Sequence, residues 1–570
     1  MKRTFFTIAL MAMCISLNAQ DVASLAFMYD GITNNTNNYY GTARSVAMGN
    51  AVTAVGGELG SVGINPAGSA VAKYSQFEIT PGLTISSVNS QFSPIGEGLY
   101  QASSEETRTR FTLPSFGASF SFNTGNEYGV KSFSFGIVAT QTQDFNKSFS
   151  ARGLNSRTSL LGEFAAGAYG KTYKDLESYN SGTSWDLVAG YNGRLFGGVS
   201  DVVYAGNCET YTMLGYCIPS ALSQTSMVTT NGYKRDVILN FAFDIAGKAY
   251  MGFNIGFPMM YRSNQESYFE TPVNYQDFFI GLPDKTGEAV DTYYTGSTYQ
   301  FDQYTRMTGI YAKFGFIFLP TDHLRIGGAI QTPVAYNVTE GYHYMANSTY
   351  EYSGCNGYSS SPQDEWSYRE RGPWSFNLGL AYTFGSRALL SLDYELTDFK
   401  SLYFSEIGNR TDYFYKVNQT IRNFCGSSHN LRAGLEVKLN PLVSARAGFT
   451  LQTTPERYWK EGGSVGVKAE DYYYNMAFYS GAHGKAQYFK DNKYSFSFGL
   501  GYSSPGSFFA DVAARLNRYP ASVFIPFYDY DHLDIDGGYH EVGTATEELS
   551  PRILNNGRLW DVMLTIGWRF

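Results

Sequence analysis

Apolar positions alternate one for one with small or polar positions along most of the chain, in runs of about ten residues closed by turns. Phe133, Phe135, Ile137 and Ala139 alternate with Ser132, Ser134 and Gly136. Trp374, Phe376, Leu378, Leu380, Tyr382 and Phe384 alternate with Ser375, Asn377, Gly379, Ala381 and Thr383. In Leu431, Ala433, Leu435, Val437 and Leu439 the opposite face is Arg432, Gly434, Glu436 and Lys438, and Tyr494 to Tyr502 repeats the pattern with Ser and Gly between aromatics. A period of two means a β-strand with two unlike faces. Such runs predict fourteen strands near 74–88, 109–123, 130–150, 234–246, 249–268, 304–319, 323–340, 373–385, 388–405, 427–439, 442–455, 491–503, 506–520 and 557–570.

The connections between these runs alternate strictly. Short ones, such as Ala246-Gly247-Lys248, Pro320-Thr321-Asp322 and Asn440-Pro441, are followed by long ones at 89–108, 151–233, 269–303, 341–372, 406–426, 456–490 and 521–556. Tight turns at one rim and long loops at the other are the layout of an outer-membrane barrel. A large secreted sandwich or propeller also has many short strands. Against it, the charges on the strands fall mostly on the polar parity: Asp244, Lys313, Arg325, Asp393, Glu395, Arg432, Glu436, Lys438, Arg446, Asp511 and Arg515. A Lys or Arg on the lipid face near mid-membrane costs about 2–4 kcal/mol, so this placement fits a barrel whose other face meets lipid. The closing "LWDVMLTIGWRF" puts Trp560, Val562, Leu564, Ile566, Trp568 and Phe570 on one face and ends on an aromatic, like the assembly signal of such barrels. Trp568 and Phe570 are therefore the expected contacts for barrel-assembly machinery.

The start of the chain differs. Lys2 and Arg3, an apolar run from Phe5 to Leu17, and Asn18-Ala19-Gln20-Asp21 read as an export signal with its cut site. Cys14 follows Met13, which is larger than a lipoprotein signal favours. No later run approaches the length of a membrane helix. The formal charge is −8 with no basic cluster, which argues against nucleic acid as a partner.

Between the signal and the first strand lies "GTARSVAMGNAVTAVGGELGSVGINPAG", Gly41 to Gly68. Gly and Ala let a backbone pass close to a wall, Pro66 fixes a turn, and the Asn65 amide can satisfy backbone groups that an irregular segment leaves unpaired. A plain Asx-turn or linker is the competing reading. This segment, ending in Asn-Pro-Ala directly before fourteen strands, resembles the hatch of the FadL family of outer-membrane transporters for long-chain fatty acids and other hydrophobic compounds. The segments 307–333, 373–399 and 429–455 and the closing strand extend the resemblance over the whole mature chain.

The resemblance implies a fourteen-stranded all-β transmembrane barrel with signal 1–19, an N-terminal hatch 20–73 inside the lumen, and barrel 74–570. It implies a monomer in the outer membrane that takes up hydrophobic or amphipathic small molecules passively, without a cofactor, in contact with membrane lipid. Asn65, Pro66, Ala67 and Gly68 would brace the gate. An apolar pocket would lie between hatch and wall, and a lateral opening would lie in the third strand around Phe133 to Phe145, with Phe133, Phe135 and Gly136 as its candidates and Asn65 approaching it. The alternative within the same resemblance is a surface-binding or scaffold barrel, a secretion shuttle or receptor.

Other chemistry is sparse. Cys208, Cys217, Cys355 and Cys425 follow the signal and fall in or beside long outer loops, an oxidising setting in which Cys208–Cys217 and Cys355–Cys425 are the pairing of interest among three. The acidic loop "YDYDHLDIDGGYHE" departs from calcium-loop spacing and reads as solvated. His343 and His483 are the haem-ligand candidates on outer loops. His429 stands beside Ser427 and Ser428, but neighbours on a strand point to opposite faces, so no nucleophile pair is expected and the chain reads as a non-enzyme.

Overall fold

The computed structural model describes residues 19–95, 99–212, 215–408, 413–455, 492–527, 532–533, 539–540 and 550–570. Its architecture is a closed 14-strand antiparallel barrel. In chain order the strands are β1 (Gln76–Ser93), β2 (Ser103–Asn123), β3 (Val130–Asp144, resuming over Lys147–Asn155), β4 (Leu222–Ile245) and β5 (Ala249–Pro272). Then come β6 (Ala289–Phe318), β7 (Leu324–Gln331 and Ala335–Tyr350), β8 (Asp364–Arg371 and Trp374–Phe384) and β9 (Ala388–Asp398 and Tyr403–Glu406). The last five are β10 (Ser427–Lys438), β11 (Val443–Gln452), β12 (Lys493–Ser503), β13 (Phe508–Arg518) and β14 (Arg552–Arg569). β14 returns to β1 with Phe77 opposite Trp568, and Ser75 and Phe570 exchange backbone bonds of 2.9 and 3.0 Å that finish the seam.

The outer face is what the alternation predicts. Met251, Phe253, Phe257 and Met259 of β5 and Phe376, Leu378 and Leu380 of β8 are exposed on the exterior, while Lys313, Asp393, Glu395, Arg432, Asp511 and Arg515 are buried inside. An apolar belt around a closed barrel is a membrane-spanning surface, because closure leaves no unpaired strand edge at the seam. Several strands run much further outward than their hydrophobic runs. β4 starts at Leu222 and β6 at Ala289, so much of the expected loops 151–233, 269–303 and 341–372 is paired sheet. Above the belt the outward positions of β5 turn polar (Ser263, Gln265, Ser267), so the sequence signal fades while the backbone ladder continues.

The lumen is filled by the N-terminal segment: α1 (Ala19–Asn35), α2 (Ala43–Ala47), α3 (Leu59–Val62) and α4 (Gly68–Val71) with irregular chain between them. The expected signal falls, apart from Ala19, outside the described residues. On the outer side the 156–212 segment folds with the projecting ends of β5 to β7 into a cap containing α5 (Leu160–Gly167), α6 (Tyr173–Glu177) and α7 (Trp185–Asn192). Leu160, Leu161, Phe164, Leu187, Phe196, Tyr294, Tyr299 and Tyr344 share its core. Glu270 pins the start of α5, accepting from Ser159 Oγ at 2.5 Å, Leu160 N at 3.1 Å and Gln224 Nε2 at 2.7 Å.

Candidate functional site

An irregular chain inside a barrel has backbone groups with no ladder to join, so the wall must supply partners. It does so with the inward charges. Lys313 Nζ donates to Gly63 O at 2.7 Å, Arg325 to Val55 O at 2.9 Å, and Arg515 to Asn38 O and Tyr39 O at 2.9 and 3.0 Å. Asp393 accepts from Thr53 N at 2.7 Å, and Arg44 pairs with Glu436 at 2.9 Å. Inward glycines of β5, β7, β8, β10 and β11 let the two backbones touch. A methyl on Gly252 would meet the Pro66 carbonyl carbon at 2.3 Å, on Gly327 the Thr53 oxygen at 2.3 Å, and on Gly448 the Gly49 nitrogen at 2.1 Å.

Asn65, Pro66, Ala67 and Gly68 sit in this interface. Asn65 is fully buried; its amide donates to Thr53 O at 2.7 Å and Phe316 O at 2.9 Å, and its oxygen accepts from Ala67 N at 3.1 Å. Asn240 Nδ2 takes Pro66 O at 2.9 Å, Ala67 packs with Ala242, Tyr250 and Ile317, and Gly68 O accepts from Gly57 N at 2.8 Å. The tetrapeptide is thus clamped to β4, β5 and β6. Asn65 does not approach the third-strand opening, which corrects that expectation.

Phe133, Phe135 and Gly136, the residues expected at a lateral opening, are paired on both sides. Those three are in closed wall: Phe133 is opposite Phe122 and Phe243, Phe135 opposite Phe120 and Phe241, Gly136 opposite Ser119 and Asn240. Pairing of β2 with β3 stops at Ser115 opposite Thr140, although β2 stays paired with β1 out to Ser103. Pro114 stands at that point, and proline has no N–H to offer the next strand. Four residues further along β3, the Asp144-Phe145-Asn146 turn breaks the strand, with Asp144 Oδ1 accepting from Asn146 N at 2.8 Å and Phe145 N donating to Gly232 O at 3.1 Å. Gly232 has φ +141° and no room for a side chain beside Tyr261 O. Beyond the turn Lys147–Asn155 pairs with β4 only and leans inward, where Phe149 and Ala151 pack on Val88, Phe92 and Ile553. The result is a gap between β2 and β3. Arg110 reaches across it to Asn146, and Arg235 reaches Leu113 O at 3.0 Å.

Behind the gap is a chamber. α1 is held to one side of the lumen: Phe27 sits among Trp366, Tyr368, Phe404 and Phe414 at ring distances of 5.4–5.9 Å, and Asp30 pairs with Arg262 at 2.8 Å. Opposite remains a cavity of about 590 Å³, of the size that takes one small ligand. A second cavity of about 360 Å³, lined by Arg108, Arg110 and Asn231, shares Ser86 and Asn146 with it and lies at the gap. The chamber has a mixed lining, apolar over much of its surface. Ile32, Val88, Phe145, Phe149, Tyr519 and Leu559 supply the apolar part, and Ser, Thr, Asn, Gln and charged groups, among them Lys147 and Lys493, the polar part. The polar groups of the wall come from the inward parity of the strands.

The four cysteines form no disulfide. Cys208 and Cys355 are buried in the cap core, whereas Cys425 ends helix α8 (Tyr415–Phe424) in the separate cluster around Phe27, so the Cys355–Cys425 pairing is corrected. Cys208 Sγ bonds Ser159 Oγ at 3.1 Å, and apolar burial holds its thiol well above the usual range. Ser428 points inward and donates to Thr453 O at 2.6 Å, while His429 points outward to Tyr394 Oη at 2.7 Å, so the two do not converge. His343 bonds Ser360 Oγ at 2.9 Å. His483 and nearly all of the acidic loop 528–541 lie outside the described residues. Among the described residues no cluster of three His, Cys, Asp or Glu side chains is placed to hold a metal.

No protein-family model matches the chain, and no curated protein matches it in sequence. Among solved structures it is similar to a Pseudomonas aeruginosa FadL homologue, at 13% identity and TM-score 0.45 over 93% of this chain and 98% of that one. It is similar to the P. putida toluene transporter TodX (13%, TM-score 0.43, 93% and 99%) and to the Ralstonia pickettii toluene transporter TbuX (12%, TM-score 0.42, 94% and 99%).

Proposed function

We propose that the protein is an outer-membrane conduit for amphipathic small molecules, with the hatch as its floor and gate and the gap between β2 and β3 as its exit into the bilayer. The observation that carries this reading is the continuity of chamber and gap through Ser86 and Asn146. Leaving sideways keeps an alkyl or aryl tail out of the polar lumen, where exposed apolar area costs about 25 cal/mol per Å². The mixed lining favours a ligand with a polar or anionic head over a bare hydrocarbon: Phe145 and Phe149 suit the tail, and Lys147, exposed to the chamber, suits the head.

Ser104 Oγ donates to Ser150 O, so Ser104→Cys with Ser150→Cys pins the inward part of β3 to β2, and Asn231→Trp plugs the outer mouth. Both are expected to cut uptake of a fluorescent fatty acid severalfold in vesicles while small hydrophilic solutes leak as before. Undiminished uptake in both variants refutes lateral release. One observation favours a second reading, a receptor or scaffold: the cap has a core of its own and exposes Tyr275, Phe279, Tyr352 and Tyr358. Capture of surface partners that survives a plugged gap supports it.

A further inference from the structure

We propose that the outer rim of the barrel from β5 to β9 is a binding surface for phosphate-bearing lipid headgroups, with Arg306, Arg369 and Arg371 as its cations. All three lie at outward, exposed positions. On β6 the lipid-facing row of Phe314 and Ile310 leads up to Arg306 and Tyr304. Arg306 stands opposite Tyr261 of β5 and Thr339 of β7, and Tyr261 stands opposite Tyr233 of β4. Outward tyrosines at the end of an apolar belt mark the membrane–water interface. The arginines are therefore at headgroup depth, directly above the surface that acyl chains cover.

Their spacing follows from the register. Asn337 faces Thr308 on one side and Arg369 on the other, which puts Arg369 two strands from Arg306 and one residue pair lower. With strands ~4.8 Å apart and ~3.4 Å per residue, their Cα atoms are about 12 Å apart, the scale of one headgroup. Arg371 continues the row, opposite Tyr403 of β9. The guanidinium of Arg306 lies 4.9 Å from the Tyr304 ring and that of Arg371 5.1 Å from the Tyr403 ring, contacts that fix direction but supply no counter-charge.

No ion pair with a described residue neutralises any of the three. Two outward carboxylates stand further out and bond elsewhere: Glu365 accepts from Tyr304 Oη, and Asp302 accepts from Gln300 Nε2 and lies 3.8 Å from His343 Nδ1. Elsewhere the chain answers its own rim cations: Arg558 pairs with Glu105 at 2.7 Å, and Arg235 bonds Leu113 O at the wall gap. A rim left cationic in a chain of net charge −8 is complementary to an anionic membrane surface. A lipid also gains contact with Phe314 and Ile310, which a free anion does not.

The test uses the purified full chain in neutral detergent, titrated with phosphatidic acid or phosphatidylcholine and read by native mass spectrometry, with inorganic phosphate as competitor. The wild type is expected to prefer phosphatidic acid, by roughly fivefold for each arginine engaged. Arg306→Gln, Arg369→Gln and Arg371→Gln combined should abolish the preference, while Arg387→Gln at the short-turn rim should keep it. Heat-modifiable gel mobility checks that each barrel is folded. No preference in the wild type, preference persisting in the triple variant, or displacement of the lipid by inorganic phosphate overturns the proposal.

Discussion

Replacing Gly448 by alanine tests whether close backbone contact is what seats the hatch. The added methyl would lie 2.1 Å from Gly49 N, 2.5 Å from Met48 C and 2.6 Å from Gly49 Cα. All three are backbone atoms, so no side chain can rotate out of the way. Reaching even 3.4 Å requires the hatch to move by more than 1 Å. That shift breaks the bonds from Thr450 Oγ1 to Gly49 O at 3.0 Å and from Ser497 Oγ to Ala47 O at 3.2 Å, each worth about 1 kcal/mol net. With strain added, docking weakens by about 2–4 kcal/mol, which multiplies the undocked population roughly 30-fold to 1,000-fold. The wall should be unaffected, because Gly448 pairs with Gly434 and Ser497 through backbone alone. Conductance in planar bilayers should therefore rise, and the hatch should become sensitive to protease from the short-turn side, with heat-modifiable mobility unchanged. Gly136→Ala is the control, since its methyl would meet nothing closer than 3.4 Å. Wild-type conductance and protease resistance in Gly448→Ala would show that close contact is not what holds the hatch.

Asn65→Ala with Pro66→Ala removes the amide bonds to the carbonyls of Thr53 and Phe316, a loss of about 1–3 kcal/mol in hatch docking. Leak or altered uptake from a normally folded barrel is expected, and unaltered flux removes the gate role. In the cap, burial pushes the Asp186 carboxyl up from 3.8 to about 6. The folded cap holds that proton more tightly than the unfolded chain, so the contribution is full below about pH 4 and lost as pH rises through 6. At pH 8 the buried charge costs about 2–3 kcal/mol. Asp186→Asn should slow hydrogen exchange in α5 and α7 at pH 8 and flatten its change between pH 5 and 7; a pH slope equal to the wild type's refutes this.

How much of this could be read in the sequence follows from what each part faces. Lipid tolerates one kind of side chain, so every strand that crosses it carries the same alternation, and Phe376 to Phe384 or Phe496 to Tyr502 could be placed by pattern alone. Water above the membrane enforces no such rule, and the outward extensions of β4 and β6 went unread. The gap in the wall is written in three places far apart along the chain: Pro114 ends the ladder on β2, Asp144-Phe145-Asn146 turns β3, and Gly232 on β4 leaves space for the turn. The turn is legible locally as an Asp-x-Asn stretch inside an apparent strand. Its consequence needs the register of three strands, and the alternation of Phe133 to Ala139 drew attention to the paired part instead.

The inward face carries a second code that parity reveals without explaining. Gly379, Gly434 and Gly499 were visible as small residues opposite lipid-facing ones, and Lys313, Asp393 and Arg515 as charges on the inner side. What they face is the 36–72 segment, hundreds of residues earlier in the chain, and they are committed to it: each of Lys313, Asp393 and Arg515 holds a backbone carbonyl or amide of that segment. Charges committed in this way are poorly placed to select a ligand, because releasing one would leave a buried group of the hatch unpaired. If the chamber takes a ligand as proposed, selection falls to polar groups that the hatch does not use. Lys147, on the inward-leaning part of β3 and exposed to the chamber, makes none of these anchoring bonds among the described residues. On the proposed lateral route, the break in β3 that ends its pairing with β2 is therefore also what places an uncommitted cation on the chamber wall.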